Sequence, residues 1–511
     1  MTPLKGDAER PFVANEARTV AQWSGLAAGA AAFALIAALP APETLSREAM
    51  TVAALASLMI IWWVSEAVPI AATALLPMIV LPLAGVSSLK ESAASYMSPI
   101  VVLLMAGFII AKAIEKWRLH ERIALNIVDR VGARPPALLA GFMIAAALLS
   151  MWISNTATAL MMTPIALSVA RAITAERSEH GARFRTALLL AVAYACSIGG
   201  LATPVGSPTN LIVIGYLAEQ GIDLSFADWM RLGLPVVLLL IPVAWAILSL
   251  HGARNIADGG AIDGSIDGSI DGAIDAAIDV DGAGARAAVR SAKAALGPIT
   301  TPERRTLMVF ACVAAAWVLS AQLKKLPGLE GLNDQIIGLI GVIAFFALPS
   351  GAPGARSAPL LDWTTAEWIP WGVVLLFGGG LSLAAAIAKS GLAQFLAGYF
   401  VGLGAMPDVV VILALTVFVL TMTEFTSNVA TVSALLPMVG AIALATGFDL
   451  VALAAPVGLA ASCAFMLPMA TGPNAVAYAA GGVSMGEMAR VGVRVNIAGA
   501  LLVTLIAAIL G

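Results

Sequence analysis

Residues 236–250, 306–320 and 497–510 are runs of almost wholly apolar side chains, and comparable runs recur along the chain. In hydrocarbon no water can satisfy a backbone N–H or C=O, so such a segment must close its hydrogen bonds internally, as a helix does. Composition agrees. The 511 residues are 60% hydrophobic and 12% charged, whereas a water-facing domain carries about 25% charged residues. There is too little charge to cover a soluble surface. Crossings are predicted at 20–40, 49–66, 68–86, 98–113, 186–218, 231–250, 305–322, 333–349, 370–388, 450–480 and 491–510. Two further stretches, 136–170 and 408–446, are apolar but interrupted by Ser-Asn, which suits re-entrant helical hairpins. The expected fold is an all-α membrane protein with about 11 transmembrane helices and two re-entrant hairpins.

Residues 1–22 are polar, carry Lys5, Arg10 and Arg18, and lack the apolar core and cleavage site of a signal peptide. They read as a retained cytoplasmic tail. A first transmembrane helix follows at 23–48, then a first repeat at 49–250, a connection at 251–304 and a second repeat at 305–511. With the N-terminus inside, 22 of the 28 Lys and Arg fall on the cytoplasmic side and 6 on the other. The positive-inside rule therefore predicts a multi-pass protein with its N-terminus cytoplasmic and its C-terminus outside; the expected location is a bacterial inner membrane. The connection carries Asp263, Asp267, Asp271, Asp275 and Asp279 at a four-residue period with many glycines. It reads as a flexible, acidic tether rather than a cation site.

The two interrupted stretches match each other. Ser154-Asn155-Thr156-Ala157-Thr158 precedes Pro164, and Ser427-Asn428-Val429-Ala430-Thr431 precedes Pro437. A further hydroxyl stands four residues before each serine, at Ser150 and Thr423. Upstream, Leu103-Leu104-Met105-Ala106-Gly107 parallels Leu375-Leu376-Phe377-Gly378-Gly379; downstream, Gly206-Ser207-Pro208-Thr209-Asn210 parallels Ala470-Thr471-Gly472-Pro473-Asn474. By the charge count the first hairpin enters from the cytoplasm and the second from outside, so the repeat is inverted. Inverted repeats with broken helices near mid-membrane imply a secondary transporter whose site lies where the repeats meet.

A broken helix exposes N–H groups at one end, suited to carboxylate oxygens, and carbonyls at the other, suited to a cation. Asn supplies both donor and acceptor at the break, and Ser and Thr add small hydroxyls. Formal charge inside the membrane is scarce, with Glu66 and Glu424 the main candidates for burial, and Glu66 is expected to have an interfacial structural role. An anionic substrate would thus be neutralised by helix ends and co-bound cations. An enzyme is not expected: no His or Lys at membrane depth stands ready for Ser154 or Ser427, and no H-E-x-x-H or phosphate-binding loop occurs. Cys196, Cys312 and Cys463 fall in apolar segments and suggest neither disulfides nor a metal site.

At Ser154-Asn155-Thr156, Thr423-Glu424-Phe425-Thr426-Ser427-Asn428, residues 371–380, and Phe465-Met466-Leu467-Pro468-Met469-Ala470-Thr471 leading to Pro473-Asn474-Ala475, the chain resembles the divalent anion/sodium symporter family. Trp62–Ala67 with Thr73–Pro77 adds a further stretch, and the resemblance covers about 49–250 and 305–511. It implies a homodimer working by an elevator-type motion in the lipid bilayer. It also implies Na⁺-coupled symport of C4-dicarboxylates such as succinate, malate or fumarate, or of related di- or tricarboxylates. A Na⁺-independent exchanger and a carrier of sulfate or another divalent anion are the alternatives on the same fold. No organic cofactor and no nucleic-acid partner are expected. By position, one Na⁺ site would use Ser150, Ser154, Asn155 and Gly206, and its mate Thr423, Thr426, Asn428 and Ala470. The substrate would meet Asn155, Thr156, Ser207, Asn428, Val429, Thr471 and Gly472. Val429 and Gly472 depart from the family pattern, which commonly has threonine and proline there, and this opens the question of substrate identity.

Overall fold

The computed structural model describes residues 18–42, 44–132, 134–173, 179–253 and 283–510. The first 17 residues and the aspartate repeat at 263–279 lie outside the described residues. Among the described residues there is no strand, only isolated bridges at Pro349–Pro359 and Ala352–Ala355. Eight helices among the described residues are long and apolar enough to cross a membrane. Broken or shorter helices make up the rest.

Helix α1 (Val20–Ala38) starts at a Thr19/Gln22 capping box and packs along α2 (Arg47–Ser65). The crossing expected at 68–86 is instead split into Ile70–Thr73 and Leu76–Leu83. Pro77 has no N–H for the Thr73 carbonyl, so the first piece cannot run on. After α3 (Pro99–Lys116) the chain turns at Arg118, whose φ of 53° is left-handed, into the amphipathic α4 (Leu119–Val131). The first hairpin is α5 (Pro135–Ser150) and α6 (Asn155–Ile173). Then come α7 (Glu179–Gly199), α8 (Pro208–Glu219) and α9 (Phe226–Leu248). The single crossing expected at 186–218 is therefore two helices with an unwound loop at 200–207 between them.

Part of the expected tether is ordered. Residues 283–295 form α10 (Ala283–Ala295), which buries Ala285 and Val289 against α4 and α6 and pairs Lys293 with Asp129 at 2.7 Å. This segment is rich in alanine and lacks the Gly spacing of the repeat before it, so helix propensity holds. Arg122 ties its end to the next helix, binding the Leu296 and Gly297 carbonyls and both oxygens of Glu303.

The second half begins with α11 (Thr301–Val318) and α12 (Asp334–Ala347). The following loop docks on α3 through a Lys116–Asp362 pair and a Trp117 indole N–H donated to the Leu360 carbonyl at 2.7 Å. The hydrogen-bonded Lys116 ammonium holds the Asp362 carboxyl well below the usual carboxylate range. Helices α13 (Trp371–Ser390) and α14 (Leu392–Phe400) lead to the second hairpin, α15 (Asp408–Thr423) and α16 (Asn428–Thr446). The expected crossing at 450–480 is likewise interrupted, into α17 (Leu450–Ala461) and α18 (Gly472–Ala479), before α19 (Met485–Leu510).

Helix α7 is the hub, buried along almost its whole apolar length, whereas α1 is mostly exposed. It packs on both arms of the first hairpin and on α18 of the second half. Helix α8 packs on α17, and α18 packs on α6, so each half's broken helix touches the other half. Two buried cores result. A large one surrounds α7; a smaller one joins α2, the short helices after it and one face of α13.

Candidate functional site

Each hairpin turns on a hydroxyl–asparagine pair. Ser150, the last residue of α5, donates its hydroxyl to Asn155 Oδ1 at 2.5 Å across the tip. Thr423, the last residue of α15, does the same to Asn428 Oδ1 at 2.6 Å. Both hydroxyls are fully buried, so each tip is a closed polar turn set in an apolar body. The sequence match between the halves thus reappears as the same bond at the same five-residue separation.

The unwound loops also correspond. In the first, Asn210 Nδ2 donates to the carbonyls of Gly200 and Thr203, both at 2.8 Å. In the second, Asn474 Nδ2 donates to Ala464 and Leu467, at 3.1 and 3.0 Å. Backbone leaving a helix inside the membrane strands carbonyls that need a donor, and one buried carboxamide serves two of them in each loop. Pro208 and Pro473 stand in the first turns of α8 and α18, where a missing N–H costs nothing. Trp229 adds a donor from α9 to the Leu201 carbonyl at 3.1 Å.

The two tips and the two loops meet at one cavity of about 840 Å³. Its lining includes Ser154, Asn155, Thr156, Gly206 and Ser207 from the first half, and Thr426, Asn428, Val429, Ala470, Thr471 and Gly472 from the second. Of the residues expected to hold substrate or Na⁺, only Ser150 and Thr423 fall outside the lining; they sit behind it, holding the asparagines. Direct contact joins the halves, since Gly472 lies against Thr156 so closely that a Cβ there would overlap the Thr156 hydroxyl. A second junction is a triangle of hydroxyls: Ser207 and Thr209 lie 3.0 and 2.8 Å from Ser462 and 2.9 Å from each other.

The chemistry on offer is neutral oxygen and N–H. Ser207 and Ser427 are the N-caps of α8 and α16, and neither makes a side-chain cap bond. First-turn N–H groups therefore remain available beside the cavity, with the positive end of each helix dipole. Among the described residues no three His, Cys, Asp or Glu side chains cluster. A cation held here would take hydroxyl, amide and carbonyl oxygens, ligands suited to a hard ion.

The two acidic candidates part company. Glu424 is buried, 2% exposed, and accepts N–H groups from the loop at 465–467. Glu66 is exposed, not buried; it ends α2 in a left-handed conformation, φ 48°, and lines the cavity mouth with Gln22, Lys112 and Glu115. Helix α2 stops there, one turn before Pro69, which leaves the side chain in open space. Asn210, Asn474, Thr209 and Ser462 are site-building residues without a role in the sequence reading. Only the matched place of the two asparagines in the repeat pointed to them.

Comparison with known proteins identifies the family. A family model described as the sodium:sulfate symporter transmembrane region matches residues 20–511. A sodium-dependent dicarboxylate transporter SdcS of Staphylococcus saprophyticus is 34% identical, covering 96% of this chain and 92% of that protein. SdcS of a Staphylococcus aureus strain is also 34% identical, over 98% and 92%. Among solved structures, the Alcanivorax borkumensis YdaH transporter superposes with a TM-score of 0.55 at 15% identity, over 89% of this chain and 98% of that one. Neisseria gonorrhoeae MtrF gives 0.55 at 12% identity, over 93% and 97%. These two likenesses bear on the fold alone. With its hairpins, broken helices and near full-length match, the chain belongs to the sodium:sulfate symporter family of membrane transporters.

Proposed function

We infer that this protein is a secondary active transporter coupling Na⁺ to the uptake of C4-dicarboxylates such as succinate, malate or fumarate. One observation carries the reading: two hairpin tips and two unwound loops, one of each from either half, line a single cavity. Its volume of about 840 Å³ lies within the range of roughly 300–1,000 Å³ usual for small-molecule sites. Carboxylates would lie against the helix-start N–H groups and the side chains of Asn155, Thr156, Ser207, Asn428 and Thr471, with Val429 and Gly472 as the apolar wall. One Na⁺ would sit by Ser150, Ser154, Asn155 and Gly206, and its mate by Thr423, Thr426, Asn428 and Ala470. The names of the staphylococcal relatives support both sodium and dicarboxylate.

The cavity mouth carries Thr19, Gln22, Lys112 and Glu115, on the side that the Lys/Arg count makes cytoplasmic. This supports an inward-facing state and halves inverted across a bacterial inner membrane, N-terminus inside and C-terminus outside. The two separate cores support a fixed body built on α2 and α13 and a moving body around α7. Elevator motion of one against the other, in a homodimer, completes the proposal. The test is uptake of labelled succinate into proteoliposomes with and without an inward Na⁺ gradient. Accumulation that follows the gradient is expected. Uptake indifferent to Na⁺ would make the protein an exchanger, and transport of sulfate without dicarboxylate would change the substrate.

A further inference from the structure

The second half of the site contains a buried carboxylate that the first half lacks. Glu424 follows Thr423 directly, and its Oε1 accepts from the Phe465 and Met466 N–H groups at 2.9 and 3.1 Å and from Asn496 Nδ2 at 2.7 Å. Its Oε2 accepts from Met466 and Leu467 at 3.2 and 3.1 Å. Every one of these partners is a neutral N–H donor. Four backbone N–H contacts and one carboxamide N–H converge on its two oxygens, an arrangement that suits the ionised, acceptor-only form. The loop that the carboxylate grips runs on to Ala470, and the residue before it, Thr423, holds Asn428.

The matching position in the first half is Met151, counted from Ser150 as Glu424 is from Thr423. There the loop is tied neutrally: Thr203 donates its hydroxyl to the Met151 carbonyl at 2.5 Å. The N–H groups of Leu201 and Ala202 return to Ile198 and Gly199, both at 3.1 Å. The first loop thus closes partly on itself, while the second opens three successive N–H groups toward one carboxylate. The hairpin bonds and the asparagine staples are alike in the two halves; the charge is not.

We propose that Glu424 is a positioning residue that makes the two cation positions unequal, giving the second-half position the higher Na⁺ affinity, so that it fills first. A negative charge next to Thr423, in a poorly screened interior, favours a cation there over its counterpart in the first half. Four of the five bonds go to the loop at 465–467, fixing the stretch that runs on to Ala470. The inference rests on the Na⁺-coupled reading of the site.

The experiment titrates Na⁺ against the thermal midpoint of the purified full-length protein, with K⁺ as control, and measures Na⁺ and succinate dependence of uptake. E424Q is expected to raise the half-saturating Na⁺ about tenfold, equivalent to about 1.4 kcal/mol, while half-saturating succinate at saturating Na⁺ moves little. Glu424→Asp, which keeps the charge, should lie nearer the wild type. An unchanged Na⁺ midpoint in folded E424Q overturns the proposal. If E424Q does not fold, Ser150→Ala and Thr423→Ala decide: loss of the low-concentration Na⁺ response in T423A but not in S150A supports it, and equal shifts overturn it. A wild type that does not respond to Na⁺ at all refutes the symport reading itself, and the inference with it.

Discussion

At the scale of single residues, the contact that most directly joins the halves is Gly472 against Thr156. Any side chain at 472 would displace the Thr156 hydroxyl, which lines the cavity at the start of α6. Gly472→Ala should therefore leave the protein folded, as size-exclusion chromatography would report, and raise half-saturating succinate about tenfold, the effect of losing one good polar contact. Asn155→Ala and Asn428→Ala should go further and abolish uptake, because each asparagine is at once a helix start, a cavity wall and the partner of a buried hydroxyl. Wild-type rates in both asparagine variants would place the site elsewhere.

Elements are held by a few polar side chains that service broken backbone. Asn210 and Asn474 each satisfy two carbonyls of an unwound loop, and both are fully buried. Replacing either by leucine leaves two carbonyls without a donor, at about 1–3 kcal/mol each. Asn210→Leu and Asn474→Leu are expected to lower the thermal midpoint and to lose uptake together, since the loop they hold is also cavity wall. A midpoint equal to wild type would show that the loops are held by other means. The interruptions at 200–207 and 462–471 were half legible. The motifs at 206–210 and 470–474 stood out, yet the runs around them, 186–218 and 450–480, are apolar enough to read as plain spans. Hydropathy averages over a window and is blind to where one carboxamide can replace a helical bond.

For the whole molecule, the proposed motion predicts a seam that must slide. Helix α8 meets α13 at Gly215, where a Cβ would lie 3.1 Å from Leu381 Cδ2, so a cysteine pair placed across this contact probes whether the seam moves. With the exposed Cys312 replaced and the buried Cys196 and Cys463 left in place, oxidised G215C/L381C should stop uptake and a reductant should restore it. Full transport by the cross-linked protein would rule out sliding at this seam. Helix α10 bears on the same question, for it touches α4 and α6 and joins the hairpin to the segment connecting the halves.

Chain chemistry alone determined that this is a membrane protein, where its hairpins turn and which residues pair between its halves, because burial in hydrocarbon, helix breaking and repeated motifs are local properties of the sequence. Tertiary structure decided the rest. Ser150 and Thr423 prove to stand behind the cavity and not in its wall, and Glu66 faces open space while Glu424 is buried. Residues 283–295 leave the expected tether to pack as a helix. Each of these outcomes depends on which surface of one element meets another, a relation between distant parts of the chain that no local pattern encodes.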